Sequence, residues 1–170
     1  MREEIVWIGG WKENSLVDVL ENVSFTVWFS YCNFKCPWCA NSRLARGVEK
    51  RAATINTIVE AVLPAAPFID YFHVTGGEPT LQYRALASLL LEVKKRTGVK
   101  LSFDTNASIP EAIRYIMGKV DVDHIAIDVK APLNNPHLYS KVTGVSEKYA
   151  LLAVDKIKRG IAESAGVHDF

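Results

Sequence analysis

Four short runs rich in β-branched and aromatic residues, each trailed by a helical pattern, constrain this chain more than any other feature. The runs are Ser24 to Phe29, Tyr71 to Val74, Lys100 to Asp104 and His124 to Val129. After the first, Ile55, Ile58, Val59 and Val62 recur at helical spacing until Pro64 and Pro67 stop them. After the second come Leu86, Leu89, Leu90 and Val93, with Lys94, Lys95 and Arg96 in the last turn and Gly98 at the end. A third helix is predicted to start near Ser108 with Pro110 in its first turn, and a fourth after Ser146 with Ala150, Val154, Ile157 and Ile161 as its stripe. Strands and helices in this alternation pair in parallel through right-handed crossovers, so the predicted class is α/β. Strands such as HIAIDV are apolar enough to be covered on both faces. A chain of 170 residues, 49% hydrophobic, can bury one core, and a single domain over 1–170 is expected.

Ligands of such folds, barrel or open sheet, gather at the carboxyl ends of the strands. Four stretches fall there: CNFKCPWC from Cys32 to Cys39, TGGEP from Thr75 to Pro79, DTN from Asp104 to Asn106, and DVK from Asp128 to Lys130. All four are expected on one rim, forming a single composite site.

Cys32, Cys36 and Cys39 are the only cysteines in the chain. Neighbours this close would strain a disulfide and leave one thiol over, so a reducing compartment is the consistent setting. Thiolates select zinc, copper or iron–sulfur clusters. A closed zinc site would need a fourth ligand, with His73, His124, His137 and His168 as the histidine candidates, and none of these lies in the cysteine loop. A 4Fe-4S cluster held by three thiolates leaves one iron open to a substrate or cofactor. At the other strand ends, Gly76 and Gly77 let backbone approach a ligand closely, and Glu78 can accept from an ammonium group. Asp128 and Lys130, two apart, share a strand face and can hold a hydroxyl and a carboxylate, or simply pair with each other. Thr105 and Asn106 are further candidates in a stretch that also suits a turn, and Trp38 offers an aromatic surface beside the thiols.

The formal charge of +1 gives no electrostatic case for nucleic acid or an anionic membrane. No apolar run is long enough to span a bilayer, and MREEIVWIGG carries acidic residues where a secretory signal would be basic; a cytoplasmic protein is expected.

The cysteine loop, Cys32, Cys36, Trp38 and Cys39 in the pattern C-x3-C-x-aromatic-C, resembles that of the radical S-adenosylmethionine superfamily. Within it, SLVDV, FTVWFSYCNFKCPWCAN, VTGGEPTLQ, FDTN and AIDVKAP look most like the activating enzymes of anaerobic ribonucleoside-triphosphate reductase and pyruvate formate-lyase, over about Gly10 to Gly144. The resemblance implies a partial (βα)n barrel and a 4Fe-4S cluster on the three cysteines. Its open iron would chelate S-adenosylmethionine, which is cleaved reductively to a 5′-deoxyadenosyl radical that takes hydrogen from a glycine of a partner glycyl-radical enzyme. An electron donor such as flavodoxin or ferredoxin is implied as well. It assigns the amino group of S-adenosylmethionine to the Gly76-Gly77-Glu78 turn, ribose and carboxylate to Asp128 and Lys130, and adenine packing to Trp38.

Two departures accompany the resemblance. Ala40 stands where the family's CxxCHN has histidine. About four of the family's six strand–helix units are present, AGVHDF standing where a fifth strand would begin, so the domain reads as truncated and one sheet edge as exposed. Three rival readings are a radical enzyme acting on a small molecule, such as a 7-carboxy-7-deazaguanine synthase; a non-catalytic iron–sulfur or zinc module; and an α/β interaction domain without metal.

Overall fold

The computed structural model describes residues 4–165. The first element, β1 (Ile5–Ser15), turns back into β2 (Ser24–Phe29), and the cysteine loop then leads to a one-turn helix, α1 (Ser42–Ala45). A short strand, β3 (Arg51–Thr54), runs directly into α2 (Ile55–Val62). Three strand–helix steps follow: β4 (Tyr71–Gly76) with α3 (Tyr83–Thr97), β5 (Lys100–Thr105) with α4 (Pro110–Met117), and β6 (His124–Ile127) with α5 (Pro136–Thr143) and α6 (Glu147–Ser164). One six-stranded sheet results, ordered β3-β1-β2-β4-β5-β6. Its β2, β4, β5 and β6 are parallel neighbours, while β1 is antiparallel to both β2 and β3.

The predicted parallel strands are therefore present, and the sheet gains an antiparallel extension that the alternation of strands and helices did not signal. β1 carries Gly9 and Gly10 in its middle, where its pairing with β2 shifts register between Ile8 and Gly10. That irregularity breaks the period-2 signature of a strand. The last strand ends at Ile127, paired with Thr105, rather than at Val129. Asp128 and Lys130 thus sit just beyond the strand, still at its carboxyl end.

Helix ends follow their local chemistry. Thr54, Asn135 and Ser146 cap α2, α5 and α6 by accepting from the backbone N–H groups of Thr57, Leu138 and Tyr149. Gly98 closes α3 in the left-handed region at φ 72°. Pro110 starts α4, two residues after Ser108, whose hydroxyl bonds Asn106 instead of capping a helix.

One face of the parallel strands is apolar. Phe25, Val27, Phe29, Phe72, Val74, Leu101 and Phe103 pack there with Ile58, Val59 and Val62 of α2 and Leu86, Leu89, Leu90 and Val93 of α3. The other face carries Ser24, Thr26, His73 and Ser102, all fully buried, so these strands are covered on both faces although one of the faces is polar. Polar groups can be buried there because they pair: Ser24 with Thr26, Thr26 with Asp18, and His73 and His124 both with Ser102. A second apolar cluster, built on Phe34, Ile113, Tyr139, Ala150, Val154 and Ile157, lies under the cysteine loop. Among the described residues no helix is long and apolar enough to cross a membrane. His168, and the stretch where a fifth strand would begin, lie outside the described residues apart from Ala165.

Candidate active site

The cysteine loop leaves β2 through Tyr31, a non-glycine residue at φ 77°. Its backbone is held on several sides. Tyr31 and Cys32 N–H donate to the carbonyls of Leu44 and Ala45 at 3.1 and 2.9 Å, and Lys35 N–H donates to Thr143 at the end of α5 at 2.8 Å. Glu78 N–H donates to the Tyr31 carbonyl at 2.7 Å, bringing the turn after β4 against the loop. The approach is so close that a Cβ on Gly77 would lie 2.1 Å from that carbonyl, and one on Gly76, itself at φ 117°, 2.4 Å from Phe29 O. The freedom these glycines supply is thus used against the chain's own backbone.

All eleven residues singled out from the sequence line one cavity of about 260 Å³. Cys32, Cys36 and Cys39, all unpaired, form one wall with Trp38. Gly76, Gly77, Glu78, Thr105 and Asn106 form another, and Asp128 and Lys130 a third. Ala40, Lys35 and Arg46 also border it, whereas His73, His124 and His137 do not.

Glu78 is 1% exposed and lies at the centre of a hydrogen-bond network. Its Oε1 accepts from Thr80 N–H, Thr80 Oγ1 and Thr105 Oγ1 at 3.1, 2.5 and 2.8 Å, and its Oε2 from Asn106 N–H at 2.7 Å. Burial raises its pKa, and those donors oppose the rise. The carboxylate therefore ties the ends of β4 and β5 together. Its replacement by alanine would orphan two buried N–H groups; Glu78→Ala is expected to lower the stability of the metal-free chain by about 3 kcal/mol, read from urea unfolding.

Lys130 Nζ pairs with Asp128 and lies 5.5 Å from the centre of the Trp38 ring, whose Nε1–H donates to Val142 O at 3.0 Å. Trp38 is 57% exposed and borders the same cavity as the thiols. Asp104 accepts from Thr75 Oγ1 at 2.6 Å. His73 Nε2 lies 3.4 Å from the same carboxylate without hydrogen-bond alignment and is left unpaired.

Burial pushes the Cys32 thiol up to about 12 and raises that of Cys36 as well. Phe34 N–H, 3.4 Å from the Cys32 sulfur, opposes this for Cys32, and Lys130 opposes it for Cys36. Thiols so placed stay protonated until an electropositive centre displaces the proton. Three soft donors bordering one cavity together with polar strand-end residues are the donor chemistry of an iron–sulfur cluster having one iron free for a second ligand.

A fold of this kind with such a site defines a class, and comparison of sequences names it. The family model of the radical SAM superfamily matches residues 26–166, and the chain belongs to that superfamily. Membership implies a 4Fe-4S cluster and S-adenosylmethionine. Over 123 residues it is 32% identical to a protein of Methanocaldococcus jannaschii named as a glycyl-radical enzyme activating enzyme, an alignment covering 72% of this chain and 50% of the relative. It is 28% identical over 131 residues to the 7-carboxy-7-deazaguanine synthase of Methanopyrus kandleri, covering 66% of this chain and 51% of that one. Among solved structures, QueE from Escherichia coli shares the fold with a TM-score of 0.51 at 14% identity, over 61% of this chain and 54% of that chain. The chain spans about half the length of the curated relatives it matches.

Sequence reasoning did not find the residues that brace the site. Asn33 and Tyr149 join the cysteine loop to α6, and α5 holds Lys35 and Trp38 through the carbonyls of Thr143 and Val142. The only signal for α5 was its cap chemistry, Asn135-Pro136 before it and Gly144 after it.

Proposed function

We propose that this chain carries the catalytic core of an activating enzyme for a glycyl-radical protein. Cys32, Cys36 and Cys39 would hold three irons of a 4Fe-4S cluster, and S-adenosylmethionine would lie across the rest of the cavity. The observation that carries this reading is the meeting of three free thiols with the polar ends of the parallel strands in one cavity. The identity to a protein named as an activating enzyme supports the choice of substrate.

When bound, the cluster supplies the electron that splits S-adenosylmethionine into methionine and a 5′-deoxyadenosyl radical able to take hydrogen from a glycine. The protein's own contribution is placement. Lys130 presents a cation to the methionyl carboxylate and Asp128 an acceptor to the ribose, exchanging their mutual ion pair for the ligand. The Gly76-Gly77-Glu78 turn brings backbone carbonyls to the methionyl ammonium, while the buried Glu78 carboxylate, held by Thr105 and Asn106, keeps that turn in place. Trp38 packs beside the adenine and keeps water from the thiols. An electron donor of flavodoxin or ferredoxin type completes the system.

Anaerobic reconstitution with iron and sulfide, followed by dithionite and S-adenosylmethionine, tests the reading. A changed electron paramagnetic resonance spectrum on adding S-adenosylmethionine, and 5′-deoxyadenosine in the products, are expected. A reconstituted protein that leaves S-adenosylmethionine intact would refute it. The 28% identity to a 7-carboxy-7-deazaguanine synthase favours a second reading, an enzyme of a small molecule. Steady turnover of a low-molecular-weight substrate with no protein partner present would select it over the first.

A further inference from the structure

We infer that Asn33 is a positioning residue, whose side-chain amide fixes the distance between the thiol loop and the strand-end half of the cavity. The inference rests on the cofactor assignment just proposed. Asn33 follows Cys32 directly. Its Oδ1 accepts from Asn106 Nδ2 at 2.9 Å, and its Nδ2 donates to Ser108 Oγ at 2.7 Å and to Tyr149 Oη at 3.2 Å. One amide thus joins the cysteine loop, the β5–α4 loop and α6.

The orientation of that amide is imposed from the buried carboxylate. Asn106 N–H donates to Glu78 Oε2, and Asn106 Oδ1 accepts from Ser108 N–H and Ser108 Oγ at 3.0 and 2.6 Å. A backbone N–H can only donate, so Oδ1 must face Ser108 and Nδ2 must face Asn33. Asn33 must then offer its oxygen to Asn106, which leaves its NH₂ for Ser108 and Tyr149. The protons of both amides and of Ser108 each have one place, while the Tyr149 hydroxyl is free to rotate.

The platform beneath is stiff. Ala107 sits at φ 56°, and α6 approaches it so closely that a Cβ on Gly160 would lie 2.2 Å from Ala107 O. A loop held this way cannot drift relative to Glu78 without breaking the amide bridge. Asn33 therefore acts through geometry, setting where the Cys32 corner stands relative to the residues that would grip S-adenosylmethionine.

The experiment compares reconstituted wild type with Asn33→Ala, Asn106→Ala, their double variant, Asn33→Asp and Tyr149→Phe. Iron per chain, thermal melting of the apo-protein, and KM and kcat for S-adenosylmethionine cleavage under dithionite are read for each. Asn33→Ala is expected to keep its iron and a kcat within about twofold while raising KM for S-adenosylmethionine about tenfold. The double variant should be no worse than the worse single, because both break one link. Asn33→Asp keeps the acceptor for Asn106, and the rotatable Tyr149 hydroxyl can donate to it, so KM should return to within about threefold of wild type. Tyr149→Phe should stay within about twofold, since Ser108 still receives the amide.

A wild-type KM in Asn33→Ala, single effects that multiply in the double variant, or iron loss with KM unchanged would each overturn the inference. Should Asn33→Ala not fold, Asn106→Ala, with KM raised about tenfold, and Asn33→Asp, with KM near wild type, decide the matter in its place. A wild type that takes up no cluster defeats the cofactor assignment and this inference together. A competent wild type with unresponsive variants defeats this inference alone.

Discussion

Replacing Cys36 by alanine is expected to abolish iron uptake and S-adenosylmethionine cleavage while leaving the chain folded. Cys36 is 8% exposed and packs in the apolar cluster with Phe34 and Tyr139, so losing its sulfur should cost only about 1 kcal/mol of stability. Two remaining thiols cannot hold a cube with one corner open, so iron bound after reconstitution should fall from about four per chain to near zero. Deoxyadenosine formation should drop to the level seen without protein. Cys32→Ala and Cys39→Ala should match it. A Cys36→Ala protein that melts near the wild-type temperature, holds iron and still cleaves S-adenosylmethionine would dismiss the proposed ligand set.

Gly77→Ala is expected to be strongly destabilising through steric contact alone. The new carbon would be placed 2.1 Å from the Tyr31 carbonyl and 3.3 Å from Cys32 N, both backbone atoms held by other bonds. Something must move, and the movable part is the entry to the cysteine loop. A loss of about 3 kcal/mol is expected, which at this chain length lowers the melting temperature by roughly 6–12 °C. Gly98→Ala supplies the contrast. Gly98 is left-handed, but a Cβ there would meet nothing within 4 Å, so only the backbone strain of about 1 kcal/mol should appear. Equal melting temperatures for the two variants would show that the contact with Tyr31 is not what makes Gly77 a glycine.

Strand-end placement was legible because it needs only two regularities. Parallel strands crossing through helices put every carboxyl end on one side, and CNFKCPWC, TGGEP, DTN and DVK each follow a recognisable strand. Their arrival at one cavity follows from that topology. The antiparallel strands were not legible for local reasons. Gly9 and Gly10 interrupt β1 where its register shifts, and β3 is four residues, Arg51-Ala52-Ala53-Thr54, with little β preference of its own. β3 exists because β1 offers it an edge, with Ile5 to Ile8 paired against Thr54 to Arg51. The polar sheet face was hidden differently: His73, Ser102 and His124 are far apart in sequence and become partners only once register aligns them across three strands. The inward commitment of Glu78, Thr105 and Asn106 was equally invisible, since a carboxylate facing a ligand and one facing its neighbours have the same letter.

The long reach of the braces on the cysteine loop bears on the order of biosynthesis. Tyr149, which receives Asn33, follows it by 116 positions, and Val142, which receives Trp38, by 104. At about 5–20 residues per second, the thiols leave the ribosome roughly 5–20 s before the segments that floor and clasp them exist. During that interval the nascent loop lacks the partners that hold it in the folded chain, so under the proposed ligand set metal delivery belongs after α5 and α6 have docked rather than alongside translation.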